Sequence, residues 1–146
     1  MAIEAISREA AHGAALLAKT LEIALGDLDL SPSQYRLLVF LLESPSAATA
    51  LAHRLDVTRP SLTALVDGLV QRGFVVRTPD VDDRRRVTHE ISDDGRDIVA
   101  AADTAIRSRL DHLASHLTPI QRRAANAGLE HWREAILAAR AQRTAS

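Results

Sequence analysis

Residues 58–91 decide the fold of this chain, and they read TRPSLTALVDGLVQRGFVVRTPDVDDRRRVTHEI. The leucines and valines of the first half recur with the 3.6-residue period of an amphipathic helix. Thr58 is a favourable N-cap, Pro60 is tolerated in a first turn, and Gly73 is a typical helix end. We therefore expect a helix that begins after Thr58 and ends before Gly73.

The second half of this stretch changes to a strand pattern. Residues 74–77 form a β-favouring run, and Val87, His89 and Ile91 alternate with two polar residues. The segment between the two runs, 79–85, is too rich in charge to lie in a core. The pattern predicts a β-hairpin with a solvent-facing tip, which is the wing of a winged helix.

Two further helices are predicted before residue 58. The Ser-Pro pair at 31–32 indicates a helix start, and that helix breaks at 44–46. Ser46 is then expected to cap a short helix whose apolar face includes Leu51 and Leu55. A tight connection joins this helix to the one after Thr58, so the pair forms a helix-turn-helix.

Longer amphipathic helices flank this module. An apolar stripe at 6–28 predicts the first helix, Ser92 opens a fifth with an apolar face at 98–117, and the Thr-Pro pair at 118–119 opens a sixth. A thin monomer would leave these stripes partly in water. We therefore expect a second copy of the chain to cover them in a homodimer.

The expected fold is mainly α with a small β-hairpin wing. At 146 residues, the chain is taken as one domain, 1–146. Within it we expect a winged helix-turn-helix at 31–96, flanked by N- and C-terminal dimerisation helices at 1–30 and 97–146.

Composition limits the possible functions. The formal net charge is −1, so an argument for nucleic-acid binding needs local clusters such as the three arginines at 84–86. The absence of cysteine excludes disulfides, thiolate zinc clusters and cysteine redox sensing. No apolar run reaches the roughly 20 residues that cross a bilayer, and no signal peptide is evident. We expect a cytoplasmic protein without a membrane partner.

Five motifs follow one another along the chain: SPSQYR at 31–36, LAHRL at 51–55, LVDGLVQRG at 65–73, DVDDRR at 80–85 and DGR at 94–96. In this order and spacing they resemble the MarR family of bacterial transcription regulators.

The resemblance implies a homodimer bound to double-stranded DNA at an inverted repeat. The fourth helix would enter the major groove, where Arg59 is the expected base reader, and Arg85 would reach the minor groove. Asp83 would hold Arg85 in place. The expected DNA-binding residues are Ser46, Thr49, Thr58, Arg59, Ser61, Thr63, Arg84, Arg85 and Arg86.

The chain departs from the family pattern in the fourth helix. Pro60, Ala64 and Gly68 stand where members commonly carry small polar or basic side chains, so fewer phosphate contacts are expected. This smoother surface leaves an alternative open, in which the winged helix binds a protein instead of an operator. Arg85→Ala should abolish DNA binding under the first hypothesis and leave partner binding intact under the second.

The family also implies control by a small, often aromatic, effector that releases a repressor from DNA. The ligand must bind the DNA-incompatible state better than the other state, because equal affinity shifts nothing. The expected pocket residues are His12, Leu16, Tyr35, Leu38 and His112.

Metal and catalytic sites are not expected. His112 and His116 are four residues apart on a predicted helix and could ligate zinc, but Arg36 stands where zinc-sensing members place a histidine. No nucleophile, P-loop or metalloprotease motif is present, and His53 and His89 have no catalytic partner nearby in sequence. We expect neither a cofactor nor an enzymatic activity.

Overall fold

The computed structural model describes residues 3–144, so the four terminal residues of the expected 1–146 domain lie outside it. Two compact units are present, of which the first ends at Arg109 and the second begins at Leu110. The expected functional division at residues 30 and 96 stays a prediction. In chain order the elements are α1 (Arg8–Gly26), α2 (Pro32–Glu43), β1 (Ser46–Ala47), α3 (Ala48–Leu55), α4 (Arg59–Gln71), β2 (Val75–Pro79), β3 (Val87–Ile91), α5 (Asp93–Ala114) and α6 (Pro119–Thr144).

Side-chain caps set the helix starts that the sequence predicts. The hydroxyl oxygens of Ser31, Thr58 and Ser92 each accept a hydrogen bond from the main-chain N–H three residues later, at 3.0–3.3 Å. At the other end of α4, Gly73 takes the left-handed conformation with φ of 77°. These local signals confirm the predicted limits of α4.

Ser46 does not cap α3, so this part of the prediction was wrong. Ser46 lies in β1, which pairs antiparallel with β3, and Ala47 is the N-cap without a side-chain hydrogen bond. The Ser46 hydroxyl donates instead to the carbonyl of Ser44 at 3.2 Å. The hairpin is therefore completed to a three-stranded sheet in the order β1-β3-β2.

The first compact unit contains an aliphatic core formed by helices α1 to α5 and the sheet. In α4, Leu62, Val66 and Leu69 are buried with at most 1% of their surface exposed. Their spacing of four and three residues places them on one face, so the opposite face of α4 is turned to solvent. The buried cluster comprises Leu25, Leu30, Leu37, Leu38, Phe40, Leu41, Leu51, Ala52, Leu55, Leu62, Val66, Leu69, Val75, Ile91, Val99 and Ala102.

Candidate nucleic-acid interface

The N-terminal turns of α4 expose a row of polar side chains. Thr58, Arg59, Ser61 and Thr63 are all exposed, as a groove-entering helix requires. Two of their hydroxyls already form hydrogen bonds within the helix. Thr58 caps its N-terminus, and Thr63 donates to the carbonyl of Arg59 at 3.0 Å. The Thr58 hydroxyl also donates to the hydroxyl oxygen of Ser61 at 2.9 Å, which leaves the Ser61 hydroxyl hydrogen and the Arg59 guanidinium as the donors of this row for a partner outside the helix.

Arg59 is held by a residue of the neighbouring helix. Its guanidinium donates to the hydroxyl oxygen of Thr49 on α3, and both residues are exposed. The structure thus brings together two of the predicted DNA-binding residues across the helix-turn-helix. A guanidinium oriented in this way loses less side-chain entropy when it binds a base edge.

The wing tip carries Arg84, Arg85 and Arg86 on a loop with internal hydrogen bonds. All three are exposed. The Asp83 carboxylate accepts a hydrogen bond from the main-chain N–H of Arg85 at 3.0 Å, and the Asp83 carbonyl accepts one from that of Arg86 at 2.9 Å. Asp83 therefore positions the arginines through the loop backbone, and within residues 3–144 no ion pair joins its carboxylate to Arg85.

The base of the wing is joined to α4 by groups that sequence reasoning missed. The guanidinium of Arg77 on β2 forms an ion pair with Asp67 on α4. Beside Arg77 in the strand register lies His89, which is 5% exposed. In the sequence, His89 alternates in phase with Val87 and Ile91, which places the three side chains on the same face of the strand. This alternation is the signal from which the burial of His89 could have been predicted.

The imidazole of His89 also connects two strands. Its Nδ1 lies 3.2 Å from the carbonyl oxygen of Ser46, and since a carbonyl oxygen only accepts, Nδ1 carries the hydrogen. Burial lowers the pKa of His89 below 6.5; the Ser46 carbonyl opposes this, and the charges of Arg77 and Arg59 lower it further. The ring is thus neutral at pH 7. The main-chain carbonyl of Ser46, one of the predicted DNA-binding residues, is already engaged by this hydrogen bond.

The expected pocket residues have different environments. On α1, His12 is exposed, as is Leu16 with 72% of its surface, whereas Leu38 is wholly buried in the core. Tyr35 is partly buried, and its hydroxyl donates to the carboxylate of Asp103 on α5 at 2.6 Å. Burial, followed by the hydrogen bond and charge of Asp103, raises the pKa of Tyr35 well above its ordinary value.

His112 belongs to the second compact unit. Its ring lies edge-to-face with that of His116, with centroids 6.2 Å apart, and Asp111 forms an ion pair with Arg122. Over residues 3–144, no group of three or more histidine, cysteine or carboxylate side chains is placed to hold a metal ion. Across the same residues, no helix combines the length and apolar character needed to cross a membrane.

A model of the MarR family matches residues 28–86, which include the helix-turn-helix, the first wing strand and the wing tip. Over these residues the chain is similar to proteins of the MarR family. Proteins of this family are DNA-binding transcription regulators and not enzymes.

Curated MarR relatives align with part of the chain. It is 33% identical over 70 residues to the HTH-type transcriptional repressor YetL of Bacillus subtilis, which covers 46% of this chain and 42% of that protein. It is 29% identical over 91 residues to the homoprotocatechuate degradative operon repressor of Escherichia coli, which covers 62% of each. The chain therefore spans less than two thirds of the length of either relative.

Among solved structures, the chain is similar to the transcriptional repressor CouR bound to a 23-mer DNA duplex. The TM-score is 0.71 at 27% identity, and the match covers 87% of this chain and 92% of that one. The predicted winged-helix architecture of the MarR family is thereby confirmed.

Proposed function

We propose that this chain is a member of the MarR family and a transcription regulator that binds double-stranded DNA. In the proposed complex, Arg59 and Ser61 meet base edges or phosphates in the major groove, and Arg85 enters the adjacent minor groove. The observation that carries this proposal is that α4 buries its apolar face while its polar N-terminal turns and the arginine wing tip are exposed in one compact unit. The DNA-bound structure of CouR supports it.

The proposed active form is a homodimer on an inverted repeat. Support comes from large apolar side chains that remain exposed in the single chain, including Leu129, Trp132 and Ile136 on α6 with 45–55% of their surface exposed. Burial of such side chains against a second copy is favourable by about 25 cal/mol per Å² of apolar surface. Two-fold symmetry would then place two copies of α4 about one DNA turn apart, with half-site centres ~10 bp apart.

Repression and release by a small aromatic effector are the finer part of the proposal. The two curated relatives are both named repressors. The effector would act by favouring a state in which the two recognition helices no longer match the half-sites. The expected contacts of His12, Leu16, Tyr35, Leu38 and His112 with such an effector stay predictions.

Selection of bound sequences from random duplex DNA tests the function. We expect an enriched inverted repeat, because a two-fold dimer reads both half-sites in the same way. Arg85→Ala should weaken binding to the selected operator by roughly 5- to 150-fold, since a groove arginine contributes ~1–3 kcal/mol. The matched control is Arg107→Ala, which removes an exposed arginine of α5.

Two outcomes would count against DNA binding as the function. Selection at low salt could enrich no sequence, or Arg85→Ala and Arg107→Ala could bind the selected duplex equally well. Either result would favour the alternative in which the exposed face of α4 binds a protein.

A further inference from the structure

Among the residues that the structure describes, His89 is the buried polar side chain. Neither the fold nor the proposed DNA contacts require an ionisable group at this position. His89 is 5% exposed and lies on the same face of β3 as the buried Ile91. An aliphatic side chain would fill this position without the cost of burying a polar ring. The place of His89 in the interface therefore calls for an explanation.

Three elements of the interface meet at this ring. Nδ1 donates to the Ser46 carbonyl on β1, and Arg77 is the register partner of His89 on β2. The charges of Arg77 on β2 and of Arg59 on α4 both act on the ring. Arg59 in turn donates to Thr49 on α3.

Within residues 3–144, no carboxylate is paired with the ring to balance an added charge. Two carboxylates on the elements packed near β3 are paired with arginines: Asp67 holds Arg77, and Glu43 holds Arg54 at 2.5 Å. The strand β1 carries no titratable group. The other titratable residues on these elements are Glu90 on β3, Tyr35 and Arg36 on α2 and His53 on α3, and the Tyr35 hydroxyl donates to Asp103 on α5.

We propose that His89 is a positioning residue for Arg59 and Arg77, and that protonation of its ring displaces these guanidinium groups and weakens discrimination of the operator. This inference rests on the proposed DNA-binding function. Protonation at Nε2 would place a third positive charge beside two others in a partly buried site, where charges interact more strongly than in water. The exposed Arg59 is the group free to move, and its displacement would break the contact with Thr49.

The ratio of two affinities is the appropriate measure. An added positive charge by itself strengthens attraction to any duplex, whatever its sequence. Displacement of Arg59 from its base edge acts only on the operator. The quantity to follow is therefore the affinity for the selected operator divided by that for a scrambled duplex of the same length.

The closing experiment compares the wild-type protein with His89→Gln at about pH 7.5 and at a lower pH, at which the NMR resonances of the His89 imidazole show the wild-type ring to be protonated. Glutamine retains a donor for the Ser46 carbonyl but cannot titrate in this range. We expect the wild-type ratio to fall about tenfold at the lower pH, the loss of roughly one base contact, and the His89→Gln ratio to stay constant. His53→Gln removes an exposed histidine of α3 and should keep the wild-type profile.

An equal fall in wild type and His89→Gln, or a constant ratio in both, would overturn the inference while leaving the DNA-binding function intact. A wild-type protein that prefers no duplex at about pH 7.5 would instead overturn the proposed function. In that case the inference is tested without DNA, by NMR of the side-chain Nε–Hε groups of Arg59 and Arg77 in the free protein. They should shift with the His89 titration and stay constant in His89→Gln, and signals that do not shift in the wild type would refute the positioning role.

Discussion

At the scale of single residues, Arg59 depends on a neighbour that is distant from it in sequence. Its guanidinium is an expected base reader, and the Thr49 hydroxyl accepts its hydrogen bond from the adjacent helix. A long arginine side chain otherwise samples many rotamers, and ordering it on binding costs about 0.5–1.5 kcal/mol. We therefore expect Thr49 to contribute to operator affinity through Arg59 even if it touches no base.

Thr49→Val tests this dependence. Valine keeps the shape of the side chain but removes the acceptor, so operator affinity should fall about 2- to 10-fold, the equivalent of ordering one long side chain. Binding by fluorescence anisotropy measures the change. The control is Thr104→Val, whose exposed hydroxyl donates only to a carbonyl of its own helix.

A double-mutant cycle with Arg59→Met distinguishes a positioning role of Thr49 from a direct contact with DNA. If Thr49→Val lowers affinity equally with and without the Arg59 guanidinium, Thr49 contacts DNA on its own account. If its effect disappears in the Arg59→Met background, the hydroxyl acts through Arg59.

At the scale of secondary-structure elements, α5 and the wing strands approach each other closely at Gly95. A Cβ atom on Gly95 would lie 2.3 Å from the carbonyl oxygen of Phe74 and 2.7 Å from Cγ1 of Ile91. The Phe74 carbonyl also accepts the main-chain N–H of Ser92 at 3.0 Å, so it has little freedom to move. The first turn of α5 thus fixes the root of the wing.

Gly95→Ala should destabilise the protein. The added methyl group would force α5 away from the root of the wing, at a cost of about 1–3 kcal/mol that exceeds the gain in helix propensity. Urea unfolding measures the change in the free energy of unfolding.

Gly13→Ala is the matched control, because Gly13 is also helical and a Cβ there meets no atom within 4 Å. Alanine at this interior position of α1 should stabilise the protein by roughly 0.5–1 kcal/mol. Equal free energies of unfolding for the two variants would mean that the close contact at Gly95 relaxes freely.

At the scale of the whole molecule, a near-neutral chain is expected to bind a polyanion. With a net charge of −1, its attraction to DNA has to come from the arginines of α4 and the wing. A two-fold dimer doubles that local cluster. DNA binding and dimerisation are therefore expected to depend on each other.

Trp132→Ala tests the dimer. Trp132 is 55% exposed on α6 and is the largest side chain of its apolar face. Truncation of a central aromatic anchor costs roughly 2 kcal/mol or more, so the dimer dissociation constant should rise by about 30-fold or more. Sedimentation equilibrium measures it.

His131→Ala, an exposed neighbour on another side of α6, should leave the association unchanged. A wild-type protein that sediments as a monomer, or a Trp132→Ala variant that associates as tightly as wild type, would contradict the assignment of this face to dimerisation.

Much of the fold follows from signals that act within a few residues. The capping hydroxyls of Ser31, Thr58 and Ser92, and the left-handed glycine at 73, place the helix limits because each bonds or bends the backbone locally. The apolar period within α4 likewise determines which of its faces is buried. The sequence by itself therefore determined the helix-turn-helix, the wing and the exposed polar row of α4.

Only the tertiary structure decided how these parts hold one another. The pairing of Ser46 with His89 joins residues 43 positions apart, and neither residue carries a sequence signal for the other. The contact of Arg59 with Thr49 and the ion pair of Arg77 with Asp67 depend on how helices and strands pack. The physical reason is that a local hydrogen bond is specified by the residues that form it, whereas a long-range one exists only after the core has brought its partners together.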